Sequence, residues 1–219
     1  MAPALPFVAA LLLTLAAAQT PGKSPEVHPK LQTWKCTNRG GCILQNGAVV
    51  LDDLAHPVHQ LDDPNLNCGN WGSGPNATVC PTAAECAKNC IVEGISDYAD
   101  YGITTDGSSI TMKMFNAAGD DVSPRAYLLE ENGLDYELVQ LTGNEIAFDV
   151  DVSELPCGMN AALYLTEMSQ TGGRSALNPG GATYGTGYCD AQCYTYPFIN
   201  GVVRTRNLVS ISPTPLTRK

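Results

Sequence analysis

Apolar and polar residues alternate along the middle of this chain in short runs broken by turn residues. "GAVVLD" (47–52), "SSITMKMF" (108–115), "RAYLLE" (125–130), "YELVQL" (136–141), "EIAFDVDV" (145–152) and "AALYLTE" (161–167) each read as a strand. In the second run Ile110, Met112 and Met114 share one face. In the fifth, Ile146, Phe148, Val150 and Val152 oppose Glu145, Asp149 and Asp151. A period of two with frequent turn signals predicts antiparallel sheets, in a sandwich or a barrel. A single all-β domain commonly takes about 200–250 residues, so the 219 residues here are enough for one.

One stretch breaks the pattern. "PTAAECAKNCIVEG" (81–94) predicts a helix that opens with a capping box from Thr82 to Glu85 and closes with Gly94 just past its end. Cys86 and Cys90 lie four apart and share a face of it. Cys68 and Cys80 are the loop cysteines within their reach. A helix pinned in this way is scaffold.

The apolar run 5–18 is shorter than a membrane span and ends in small residues before Gln19, which fits a secretory leader over 1–18. Secretion makes disulfides the first reading of the nine cysteines. It also makes the sequon Asn76-Ala77-Thr78 an N-glycan acceptor. The net charge of −10 excludes nucleic acid and anionic membrane as partners, because phosphate binding needs a basic footprint. All 22 acidic residues precede Val202. Beyond it stand Arg204, Arg206, Arg218 and Lys219, with no cysteine. An acidic surface suits a neutral substrate such as a polysaccharide.

Candidate chemistry is sparse. "DDLAHPVHQLDD" (52–63) sets His56 and His59 between acidic pairs, but Pro57 prevents their presentation on one helix face, and no zinc-protease spacing accompanies them. The stretch is read as a solvated loop, with no metal. Neither a G-x-S-x-G elbow nor a phosphate or dinucleotide loop occurs, so no cofactor is expected. Asp149 and Asp151 are close on one strand, yet they alternate with an apolar face as the outside of a sheet does. Glu130, Glu131 and Glu167 have no second acid placed to work with them.

"CPTAAECAKNCIVEGISDYADYGITT", "FDVDVSELPCGMNAALYLTEM", "NPGGATYGTGYCDAQC" and "PFING" together closely resemble the N-terminal half of glycoside hydrolase family seven, the fungal cellobiohydrolases and endo-β-1,4-glucanases. The likeness runs from about Trp34 to Gly201. It implies a jelly-roll β-sandwich with a cellulose-binding cleft, and cleavage of β-1,4-glucan with retention. It also implies the pairs Cys36–Cys42, Cys68–Cys90 and Cys80–Cys86, and places Asn160, Tyr164, Asp190 and Gln192 along the cleft; ordinary packing and loop hydrogen bonding is the competing role for those four. Cellobiohydrolases carry a tryptophan-rich segment where this chain has "DLAHPVH", with Ala55 and Pro57 in place of aromatics, which points to an open endoglucanase cleft.

The catalytic E-x-D-x-x-E strand of that family occurs nowhere in these residues; "TEMSQ" (166–170) belongs to an earlier strand. The expected organisation is therefore a leader (1–18), the N-terminal part of a glucanase catalytic domain (19–201) and a non-family basic tail (202–219). Such a chain is read as truncated and inactive, with Cys157, Cys189 and Cys193 left without partners. A non-catalytic secreted carbohydrate-binding or decoy protein is the competing class.

Overall fold

A computed structural model describes residues 20–69 and 76–188, together with the backbone of two short strands near the C-terminus. The expected leader lies outside the described residues. In chain order the elements are β1 (Thr20–Pro21), β2 (Lys30–Thr37), β3 (Gly41–Leu51), β4 (Val58–Gln60), α1 (Ala83–Asn89) and β5 (Cys90–Val92). They are followed by β6 (Ile103–Asp106), β7 (Ser109–Met112), β8 (Ala126–Leu129), β9 (Phe198–Ile199) and β10 (Val202–Val203). Three 3-10 turns, Asp53–Ala55, Tyr98–Tyr101 and Gly181–Tyr184, link them.

β3 organises the molecule. It lies between β2 and β8, antiparallel to both, with Ala48 opposite Leu129 and Leu51 opposite Ala126. Its last residues, "GAVVL", are buried on both faces. Val49 and Leu51 pack with Leu31, Ile95, Tyr98 and Ile103, while Ala48 and Val50 pack with Leu129, Tyr136 and Ala182. Alternation along one strand thus feeds two cores, one on each side of the sheet. The outer half of the β2–β3 hairpin is exposed and is closed by the Cys36–Cys42 disulfide, whose residues face each other in the register. A second sheet places β5 between β1, to which it is parallel, and β4, to which it is antiparallel. β9 and β10 pair antiparallel, joining residues on either side of Gly201.

Two expectations are corrected here. The helix stops at Asn89: Cys90 is its C-cap, already extended at φ −117°, and Gly94 plays no part in ending it. Ile91 and Val92 are β-branched and are taken into the sheet instead. The start is as read, with Thr82 accepting from the Glu85 N–H at 3.2 Å. The second correction concerns the runs 136–141, 145–152 and 161–167, which form no strands. Tyr136 makes one isolated bridge, to Leu129. Phe148 and Val150 remain 54% and 64% exposed. A period of two specifies which side chains share a face, but a strand exists only when a neighbour supplies a ladder of hydrogen bonds, and among the described residues the pairing of these runs stops at Tyr136 and Glu137.

Candidate functional site

The end of β3 and the start of β8 bring four polar and aromatic side chains together. The Asp52 N–H donates to the Arg125 carbonyl at 2.8 Å, which locks the two chain ends side by side. Asp52 then caps the 3-10 turn Asp53–Ala55, its Oδ1 accepting from the Leu54 N–H at 3.0 Å. Its Oδ2 accepts from Arg125 Nε at 3.0 Å, pairs with Arg125 Nη2 at 2.9 Å and accepts from the Tyr127 hydroxyl. Burial, then the Asp52 charge, pushes the Tyr127 hydroxyl far above its ordinary range, so it stays a donor. Asp53 is also raised, by burial first and by Asp52 second.

Arg125 in turn lies 4.2 Å over the Tyr188 ring. That ring is tilted against Tyr127 at 5.9 Å and Tyr164 at 6.4 Å. Tyr164 is 52% exposed, so the group opens to solvent at this edge. The loop that delivers Tyr188 is held by buried polar groups. Asn178 Nδ2 donates to Thr186 Oγ1 at 2.9 Å and to the Gly172 carbonyl at 3.1 Å, and the Tyr136 hydroxyl donates to the Thr186 carbonyl at 2.7 Å. The result is a tyrosine–arginine surface on a rigid base. Aromatic faces and a guanidinium fork suit the C–H faces and hydroxyls of a sugar. Both side-chain oxygens of Asp52 accept hydrogen bonds within this group.

The histidines of the 52–63 stretch sit apart, and the solvated loop expected there is corrected. His56 is 3% exposed. Its Nδ1 faces the Asp52 carbonyl at 3.2 Å and its Nε2 faces Glu26 at 3.0 Å. Glu26 also accepts from the Ile95 N–H at 2.7 Å and from the Tyr98 hydroxyl. Burial alone would raise the Glu26 carboxyl; the donors from His56, Tyr98 and Ile95 outweigh it and hold it below its usual range. His59 is bound separately, to the Gln60 carbonyl at 2.8 Å and Glu93 at 3.0 Å. The turn and β4 point the two imidazoles at different carboxylates, so they tie the N-terminal arm and β5 to the sheet.

These pairs set a pH window. The Gln60 carbonyl, then Glu93, raise His59 above 6.5, so its contribution is complete below that value and fades as the pH climbs through the folded pKa. Burial raises Glu93, but the donors His59 and Ser24 win and lower it; its contribution is complete above 4.5 and fades in acid, as does that of Glu26. His28 is lowered by burial, and the stability it supplies is lost as the pH falls below 6.5. Urea midpoints of the wild type and His59→Gln will therefore differ more at pH 5.5 than at pH 8.5. Equal gaps at both pH values would refute the pairing.

Of the residues read from sequence, Tyr164 lies in the aromatic surface and Asn160 is exposed on the same unpaired segment. Asp190 and Gln192 lie outside the described residues, as do Cys189 and Cys193. Cys157 is free and exposed. The Cys68–Cys90 and Cys80–Cys86 bonds join the pairs that the resemblance implies. Asp149, Asp151 and Glu167 are exposed and belong to no sheet; Asp151 only caps the Ser153 N–H, at 3.0 Å. Glu130 and Glu131 bind Gln170 and the Asn46 N–H. Sequence reading missed Asp52, Arg125, Tyr127 and Tyr188 as a group. Only Tyr188 carried a signal, its place inside the "NPGGATYGTGYCDAQC" run.

Mostly antiparallel sheets thus pack on a two-sided core, with an aromatic and arginine surface where β3 and β8 meet. The family model "Glycosyl hydrolase family 7" matches residues 21–214, and the chain belongs to that family. It is 52% identical over 200 residues to the endoglucanase EG-1 of Humicola insolens, covering 91% of this chain and 46% of that protein. The native structure of the Humicola insolens endocellulase EGI superposes with a TM-score of 0.80 at 53% identity, over 84% of this chain and 46% of that one. An endoglucanase I solved in complex with cellobiose superposes at 0.75, with 49% identity and 84% and 46% coverage. The chain therefore spans about half the length of the curated relatives it matches, and its fold is the corresponding part of a jelly-roll β-sandwich.

Proposed function

We propose that these residues form the glucan-holding first part of a secreted endo-β-1,4-glucanase that acts with retention. The observation that carries this reading is the 52% identity to an endoglucanase across nearly the whole chain. The absence of aromatics at Ala55 and Pro57 supports endo action, since a processive tunnel needs stacking platforms. Tyr164, Tyr188 and Arg125 are the surface on which the sugar rings lie, and the family resemblance adds Asn160, Asp190 and Gln192 as residues that hold the glucan. The cellobiose held by the solved relative is the right chemistry for such a surface. The acid and nucleophile of the family lie in an E-x-D-x-x-E run that these residues do not contain, so the polypeptide of 219 residues binds glucan without cleaving it.

The test pairs two assays on purified protein. Cellotetraose titration will show binding that Tyr164→Ala weakens about 10-fold, or about 1.4 kcal/mol. Incubation with soluble cellulose will release no reducing sugar. Sugar release would return catalysis to Asp149, Asp151 and Glu167. Cellulose pull-down without any cleavage, even when the residues are placed in a longer relative's chain, would favour the non-catalytic binding protein.

Secretion carries a further consequence. Asn76 is exposed, and its Oδ1 accepts from the Thr78 N–H at 3.0 Å, so the sequon lies on an accessible turn. Protein secreted from a eukaryotic host will lose mass on treatment with an N-glycosidase, and Asn76→Gln protein will not. An unchanged wild-type mass removes the site.

A further inference from the structure

The segment between β1 and β2 reaches the turn from which Tyr188 is delivered. It runs beside β5 and Ile95: the Gly22 N–H donates to the Val92 carbonyl at 2.7 Å, and the Val27 N–H donates to the Ile95 carbonyl at 3.0 Å. The Pro29 carbonyl then accepts from the Val49 N–H at 3.0 Å, so this arm is fixed to both three-stranded sheets. Between these anchors His28 projects onto the 3-10 turn Gly181–Tyr184. Its Nε2–H donates to the Thr183 carbonyl at 2.9 Å; a carbonyl only accepts, which sets the tautomer. Glu26 Oε1 stands 3.6 Å from the same nitrogen, and 14% of the His28 side chain is exposed, so water competes little for the bond.

The chain from this turn to Tyr188 is short and carries two glycines. Gly185 and Gly187 adopt φ +67° and +110° and have no side chains to anchor them. Gly185 is tied to the Asp53 N–H, and Thr186 to Tyr136 and Asn178. The turn before them is tied to the arm, by His28 directly and by Tyr184, whose ring lies 5.5 Å from that of the Glu26-bound His56. The ring at the end of this chain has little tolerance. Arg125 stands 4.2 Å from the Tyr188 centroid, and a contact of that kind weakens sharply when it opens by about 1 Å.

We propose that His28 is a positioning residue for the sugar surface: by holding the Thr183 carbonyl it sets the turn that carries Tyr188 to Arg125. The inference rests on the reading of Tyr164, Tyr188 and Arg125 as the surface that holds glucan. It adds to that surface a side chain 155 positions away from the carbonyl it holds, on an arm that belongs to neither β3 nor β8. Burial keeps the His28 imidazole below its ordinary range, so at pH 7 it is neutral and Nε2 keeps the one proton that the Thr183 carbonyl needs.

The experiment uses the full chain, labelled with nitrogen-15 at arginine, at pH 7. The ring current of Tyr188 displaces the Arg125 Nε–H resonance, and the bond from that N–H to Asp52 slows its exchange enough to observe it. Tyr188→Leu defines the undisplaced position. His28→Asn, whose amide is one bond too short for the Thr183 carbonyl, is expected to move the resonance at least halfway to that position. It should also weaken cellotetraose binding about 5-fold, the effect of one ordinary hydrogen bond. His28→Gln, whose amide nitrogen stands as many bonds from Cβ as the histidine Nε2, should restore both. In the Tyr188→Leu background His28→Asn should weaken binding no further, because the contact it serves is already gone. The proposal is overturned if His28→Asn leaves the resonance and the affinity unchanged, or if its effect persists undiminished without Tyr188. A folded His28→Gln protein with a displaced resonance overturns it by itself, whether or not His28→Asn folds. Wild type that binds no cellotetraose removes the sugar-surface reading instead, and the resonance then decides whether His28 sets Tyr188.

Discussion

Gly185→Ala will cost about 4 kcal/mol, read as a shift of the urea midpoint, and will leave little folded protein at room temperature. Gly185 adopts φ +67°, where a side chain costs about 1–2 kcal/mol. The larger part is contact. A Cβ at this position would stand 1.8 Å from the Leu51 carbonyl oxygen, and backbone cannot rotate away as a side chain does. Either the end of β3 or the 3-10 turn before Gly185 must move. Movement breaks the bond from the Asp53 N–H to the Gly185 carbonyl, at 3.2 Å, and disturbs Leu51, which is fully buried. Gly133→Ala is the control: its φ is +65°, with nothing within 4 Å of the added carbon. It should cost only the conformational part, about 1–2 kcal/mol. Equal losses for the two variants would show that the approach to β3 is not what requires glycine.

The second large effect belongs to Asp52. Asp52→Ala removes a carboxylate whose side chain is 6% exposed, and with it the bonds that carboxylate accepts from Arg125 and Tyr127. Breaking a buried ion pair costs about 3–5 kcal/mol. Arg125 keeps 26% of its surface and can recover some hydration, which places the expected loss at about 3 kcal/mol. The consequence reaches the sugar surface, because Arg125 will no longer be held over Tyr188. Cellotetraose binding should therefore fall in Asp52→Ala even under conditions where it is fully folded. Asp52→Asn keeps one acceptor oxygen, enough for the Leu54 N–H or for the Tyr127 hydroxyl but not for both, so it should retain part of the stability while losing the charge that orients Arg125. If Asp52→Asn binds cellotetraose as the wild type does, the charge has no positioning role.

Much of the framework was legible in local pattern. The run 47–52 reads as a strand because it is a short apolar run bounded by turn residues, and β3 ends at Leu51, within one residue of that reading. Thr82 announces the helix start because a hydroxyl three residues before Glu85 is the local partner that a free N–H requires. The helix end misled, since Gly94 is a sound stop signal by itself. The demand for β5 between β1 and β4 acted first, and that demand comes from residues far along the chain. The runs 145–152 and 161–167 misled in a related way: their alternation is real, and Ile146, Phe148, Val150 and Val152 do share a pattern, but pairing belongs to a neighbour.

By itself, the sequence determined what short-range chemistry can specify: period-two strands, one capped helix, an acidic surface, and motifs specific enough to imply the family and its cysteine pairs. What only the tertiary structure decided is how distant residues meet. Asp52 and Arg125 lie 73 positions apart, His56 and Glu26 lie 30, and Tyr136 and Thr186 lie 50. No periodicity encodes such meetings, because each depends on the register of β3 against β8 and on loops closing over a common core. The physical reason is that a buried charge or hydroxyl is tolerated only beside a partner, and the fold, not the local sequence, supplies that partner.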